Sequence, residues 1–168
     1  MNYFRAFFVL AMGVLLTGCG FQLRGSQTLP EEIEQVAVTA VKPHALLERE
    51  LNARLQVYQI PHVNIDNIEN GDNTAVIQLL PETIERRLLS VFSTGQVAEY
   101  ELIYGVTYLV TFPGRPPIKT YFEILRDYQD DPDEVLAKSR ELDLVVSEMR
   151  QEAADRIIRR LSRQASGL

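Results

Sequence analysis

The chain has 168 residues, 46% of them apolar and 24% charged, the proportions of one globular domain with an ordinary core and little room for a second. Its 17 basic side chains stand against 23 acidic ones, a formal net charge of −6, so the chain lacks the basic field that nucleic-acid binding requires. An anionic ligand has to be met by a local cluster of Arg and Lys, not by the domain as a whole.

The first residues read differently from the rest. Arg5 is the only charge ahead of an apolar run from Ala6 to Leu16, and Thr17, Gly18 and Cys19 follow. A helix needs about 20 apolar residues to cross a bilayer, so this run has the length of a signal peptide and not of a stable span. Leu16-Thr17-Gly18-Cys19 matches a lipobox, in which small residues fit the signal peptidase and the thiol receives a diacylglyceryl group. The sequence therefore predicts a signal peptide over residues 1–18 and a lipidated Cys19 at the start of a mature domain, 19–168. The alternative is a plain secretory signal that leaves Cys19 as a free thiol. Cys19 is the only cysteine, so no intramolecular disulfide could protect it in an oxidising compartment; a thioether would. Gly20, rather than Asp, after the cysteine favours sorting to the outer membrane. Several acyl chains hold a protein where one binds only marginally, so the expected arrangement is a tethered domain on the periplasmic face.

Residues 19–34 are polar without a clear period and read as an anchor segment and connector. Residues 36–41, rich in β-branched side chains, predict a first strand. Pro43 is placed to open a helix in which Leu47, Leu51, Leu55 and Tyr58 recur at spacings of four and three, ending before Pro61. Asn70-Gly71-Asp72-Asn73 is a turn. An extended stretch over 75–92, interrupted by Pro81, leads to a hairpin turn at Ser93-Thr94-Gly95-Gln96. The clearest strand covers 97–112: its even positions, from Ala98 through Tyr100, Leu102, Tyr104, Val106, Tyr108 and Val110 to Phe112, are all apolar and predict a core face. Its odd positions, including Glu99, Glu101, Gly105 and Thr107, are mixed and predict a face toward water or a partner. Pro113-Gly114-Arg115-Pro116-Pro117 turns the chain into a further strand, 118–128. Asp131, Pro132 and Glu134 spell an N-cap, a first-turn proline and a capping box. The long helix they open carries a stripe of Leu142, Val145, Met149, Ala153, Ile157 and Leu161, with arginines crowding its last turns. The expected fold is α+β: two helices packed on one face of a four-stranded, largely antiparallel sheet.

No catalytic constellation is visible. His44 and His62 have no partner at metal-ligand spacing, Ser93 lies outside any nucleophile-elbow pattern, and phosphate-cradling glycine loops are missing. No cofactor is implied. These features predict a binding or assembly protein and not an enzyme.

Three stretches together resemble the LPS-assembly lipoprotein LptE family: Cys19-Gly20-Phe21-Gln22-Leu23-Arg24-Gly25; Ser90-Val91-Phe92-Ser93-Thr94-Gly95-Gln96-Val97-Ala98-Glu99-Tyr100; and Leu136-Ala137-Lys138 with Glu148-Met149 and the arginine-rich helix end. The resemblance spans nearly all of the mature chain. It implies a plug inside the outer-membrane β-barrel LptD, which the protein helps to assemble, and a part in lipopolysaccharide binding and insertion into the outer leaflet. Lys138 matches a basic position of the family's second helix and becomes the first candidate for lipopolysaccharide phosphates, with Arg86, Arg87 and Arg115 behind it. Some family members carry a basic residue at the hairpin where this chain has Ser93. Glu99, Glu101, Gly105 and Thr107 become candidates to face the barrel, whose lumen is partly polar. Two other readings stand beside this one. An accessory lipoprotein of another envelope machine would share the anchor and sandwich but not the combined motifs; a lipoprotein enzyme would need a catalytic group the sequence does not offer.

Overall fold

The computed structural model describes residue 29 and residues 33–68 and 73–165; the signal segment, Cys19 and most of the turn at 70–73 lie outside them. Among the described residues, six strands and two α-helices, with a short 3-10 turn at Ile65–Asn67, follow in order: β1 Gln35–Ala40, α1 Leu46–Val57, β2 His62–Asn64, β3 Thr74–Leu79, β4 Thr83–Val91, β5 Val97–Thr111, β6 Ile118–Gln129 and α2 Val135–Ala165. They form one mixed sheet rather than the expected four-stranded, largely antiparallel one. β1 runs parallel to both β2 and β3, because the chain leaves it through α1 and returns from the other end of the sheet. β2 has only three residues, too few to display a period. The antiparallel half is as expected: β3 and β4 pair end to end along one edge of β5, and β6 pairs along the other. Pro81, without an N–H to give to a ladder, stands between β3 and β4.

Both helices start later than their sequence signals suggest. His44 has φ of 57°, a left-handed conformation that cannot begin an α-helix, so α1 starts at Leu46 and Pro43 belongs to the preceding turn. Ala45 in the cap position offers no side-chain bond. At the second helix the Asp131 carboxylate accepts the Asp133 N–H at 2.9 Å, and the Asp131 N–H is taken by Asp130 at 3.0 Å. The four residues 131–134 thus close on themselves as a turn instead of a capping box, and α2 begins at Val135.

The core lies between the helices and the even-numbered face of β5. Leu102, Tyr104, Val106, Tyr108, Val110 and Phe112 are buried there, as are Met149, Ala153, Ile157 and Leu161 of α2 and Leu47, Leu51 and Leu55 of α1. Ala98, Tyr100, Leu142 and Val145 are half-buried, so the core thins toward the hairpin at 93–96. There Gly95, at φ of 85°, allows Phe92 to accept the Gly95 N–H at 2.9 Å and to donate its own N–H to Gln96 at 2.8 Å. The helices are tied to each other by Asp155, which accepts from the Tyr58 hydroxyl at 3.1 Å and pairs with Arg54 at 3.3 Å.

Candidate functional site

The helices seal one side of the sheet and leave the other uncovered. On that open side the register sets Glu99 opposite Gln129, Glu101 opposite Asp127, Gly105 opposite Glu123 and Thr107 opposite Tyr121. The two acids of β5 are already engaged within the face. Glu101 is ion-paired with Arg87. Glu99 accepts the Ser90 hydroxyl at 2.8 Å and the Gln129 amide at 3.4 Å. Thr107 and Glu101 are half-buried in the isolated chain, open enough to touch an opposing surface.

Gly105 is buried within its own sheet. A methyl group there would stand 2.5 Å from the Thr83 hydroxyl oxygen and 3.3 Å from the Tyr121 hydroxyl oxygen, so its own sheet already fills the space of the missing side chain. What the face presents at that point is Tyr121, 56% exposed and hydrogen-bonded through its hydroxyl to Glu123, with Leu125 also exposed beyond Glu123 on the same face of β6. The alternation of β6 carries the signal for both residues, because Ile118, Phe122 and Ile124 occupy its other face.

The basic candidates divide among three places. Arg86 and Arg87 are neighbours on a strand and therefore point to opposite faces: Arg87 with Glu101 on the open side, Arg86 beside Leu102 on the helix side. No single phosphate can be gripped by both. The Arg86 guanidinium lies 5.9 Å from the centre of the Tyr100 ring, and the Lys138 ammonium lies 5.5 Å from that of Tyr128. Tyr100 and Tyr128 are directly opposed across β5 and β6. Arg86 and Lys138 are thus brought to the same end of the same face, each over one ring of a tyrosine pair. The Tyr128 hydroxyl donates to the Lys138 carbonyl at 2.6 Å, fixing the start of α2 against β6. The Lys138 ammonium is 2.9 Å from Glu141, whose hydrogen bond raises it above the ordinary lysine value and keeps it charged. It borders an open hollow of about 380 Å³, shared with Ser90, Phe92, Glu99 and Asp130, next to the hairpin that contains Ser93. Arg115 is at the opposite end of β5, where its N–H bonds the Phe112 carbonyl at 3.1 Å.

The family model for LptE, lipopolysaccharide-assembly, matches residues 33–161, which include both helices up to the last turn of α2 and every strand. The chain belongs to the LptE family. Among its LptE relatives is the LPS-assembly lipoprotein LptE of Photorhabdus laumondii, 32% identical over 155 residues, which cover 91% of this chain and 82% of the relative. The corresponding protein of Pectobacterium atrosepticum is 30% identical over 154 residues with the same shares covered. The fold matches the crystal structure of the rare lipoprotein B from Shewanella oneidensis with a TM-score of 0.69 and 38% identity, over 79% of this chain and 97% of that one. A solution structure of a lipoprotein B from Nitrosomonas europaea matches with a TM-score of 0.68 and 26% identity, over 88% and 93%.

An LptE assignment agrees with a sequence that offers no catalytic constellation, and the two histidines remain apart. His62 faces the Ile60 carbonyl at 3.2 Å, and His44 sits in the turn before α1. Among the described residues no group of His, Cys, Asp and Glu is arranged to hold a metal ion, and no helix is long and apolar enough to cross a membrane.

Proposed function

We propose that the mature LptE-family chain, residues 19–168, is a single periplasmic domain tethered to the outer membrane through a lipidated Cys19. There it plugs and helps to assemble the LptD β-barrel and takes part in lipopolysaccharide binding and insertion into the outer leaflet. The observation that carries this reading is the asymmetry of the sheet. One face is buried under two helices, and the other runs uncovered along β5 and β6 with a mixture of Glu99, Glu101, Thr107, Tyr121 and Leu125. Such a face suits the partly polar wall of a barrel lumen better than it suits lipid or bulk water. The names of the relatives support the lipopolysaccharide side of the reading.

For the ligand, Arg86 and Lys138 are the pair to favour, since opposed tyrosine rings hold two cations at one end of one face, Lys138 bordering an open hollow. Arg87, paired with Glu101, points to the opposite face and cannot join them on one phosphate. Arg115 would serve a separate contact at the other end.

A photo-crosslinker tests the plug. Placed at Glu101 or Thr107 in cells, it should capture the barrel, and placed at Leu102 or Val106, both buried under the helices, it should capture nothing. Capture from the even positions instead would mean that the sheet faces the other way and would end this mechanism. Identification of the captured protein also separates the barrel from another envelope machine.

A further inference from the structure

β4 carries Arg86, yet none of its nine residues is buried. It begins after a break: the last ladder bond on the β3 side runs from the Leu80 N–H to the Thr107 carbonyl at 3.0 Å, and pairing resumes with Thr83 opposite Gly105. Pro81 and Glu82 fill the gap without ladder pairs. The ladder with β5, irregular after Leu88, holds β4 in the sheet, but with no buried side chain of its own the strand has few apolar contacts to hold it against the helical layer.

Glu82 occupies that break, and both of its carboxylate oxygens are engaged by different layers of the fold. One accepts the hydroxyl of Tyr104, a fully buried residue of β5. The other accepts the Arg150 Nε–H of α2 at 3.1 Å, with the two side chains only 16% and 24% exposed. Burial and the bond to Glu82 push the Tyr104 hydroxyl well above its ordinary value, so it remains a donor at any pH the protein meets. Packing does not enforce the arrangement. A cavity of about 260 Å³ opens beside it, lined in part by Leu80, Pro81, Glu82 and Arg150, and leaves room for the carboxylate to swing away. A part-buried ion pair of this kind is weak support for overall stability, since apolar residues of the same volume often do as well.

We propose that Glu82 is a latch: a positioning residue that fixes the angle of β4 against the helical layer and thereby sets where Arg86 is held relative to Lys138. The consequence for lipopolysaccharide rests on the reading of Arg86 and Lys138 given above; the latch itself does not.

Backbone hydrogen exchange on the mature full chain in detergent tests it without any ligand. Glu82→Ala should speed exchange in β4 by roughly tenfold or more, the effect of losing hydrogen bonds to a charged group, while α1 and the second half of α2 keep their protection. Tyr104→Phe, which keeps the ring and removes one donor, should do the same to a lesser degree. Arg150→Lys retains a cation within reach and should exchange close to the parent, whereas Arg150→Gln should resemble Glu82→Ala. Unchanged exchange in β4, acceleration spread equally over both helices, or identical behaviour of Arg150→Lys and Arg150→Gln would each overturn the latch. None of these results bears on whether Arg86 and Lys138 contact lipopolysaccharide, which charge reversal at those residues reads separately.

Discussion

Gly105 and Lys138 show how differently two single residues can matter. At Gly105 an added methyl group meets Thr83, whose β-branched side chain has little rotational freedom, so Gly105→Ala should lower stability by about 1–3 kcal/mol in thermal or urea unfolding. The same substitution in a Thr83→Ala background should cost distinctly less, since the nearest clashing atom is gone; equal costs would show that the crowding lies elsewhere. At Lys138 the opposite balance holds. Lys138→Glu loses an ion pair on the helix surface and puts two acids three residues apart, a small penalty that leaves folding intact. Replacing attraction by repulsion at a phosphate should weaken lipopolysaccharide capture by roughly tenfold or more, with barrel crosslinking from Thr107 unaffected. Normal lipopolysaccharide binding by Lys138→Glu would move the ligand site away from this residue while leaving the plug mechanism in place.

At the scale of elements, the long helix α2 offers the sharpest test of packing. Met149 is fully buried where the helix crosses the sheet, so Met149→Asp should strand a carboxylate without a partner at a cost of about 3–5 kcal/mol, read as a large fall in melting temperature. A variant as stable as its parent would mean that this face does not pack on the sheet. The elements that the sequence locates well are those whose signal is strong: β5 with seven alternating apolar positions, α2 with its stripe, and the hairpin at 93–96 with its Gly. Where reading failed, local chemistry had two outlets. Asp131 and Glu134 can cap a helix or close a turn on themselves, and the neighbouring Asp130 decides for the turn by taking the Asp131 N–H. Pro43 suits a first helical turn, but the left-handed His44 after it makes it part of a loop. β2 is too short to carry a pattern, and the parallel pairing of β1 is decided by the path of the chain around α1 and not by any residue in β1 itself. The site was legible to a similar degree. The open face followed from alternation along β5, whereas the pairing of Arg86 with Lys138 depends on two tyrosines meeting across strands 28 positions apart, which no local pattern reveals.

For the whole molecule, the anchor and the fold are separable. The described core begins at Ile33, apart from a half-buried Leu29, well after Cys19. Cys19→Ala behind a conventional signal should therefore yield a soluble chain with an unchanged melting temperature, while mass spectrometry of the parent's first mature peptide should find an acylated cysteine at position 19. An unmodified thiol there, or cleavage at another site, would remove the tether from the proposal. The direction in which the chain joins the sheet then acquires a meaning. Glu34 enters beside Asn73, at the end of β3 that pairs with Thr111, so the end of the fold that the proposed anchor at Cys19 would lead into is the Arg115 end of β5. β5 has 15 residues and, at about 3.4 Å each, measures about 50 Å from there to the hairpin that neighbours Arg86 and Lys138. The apolar belt of an outer-membrane barrel is only about 25 Å tall. Standing upright in such a barrel, the strand would act as a ruler twice the height of the belt, with its foot held near the inner leaflet and its two tyrosine-mounted cations lifted to the level of the opposite headgroups.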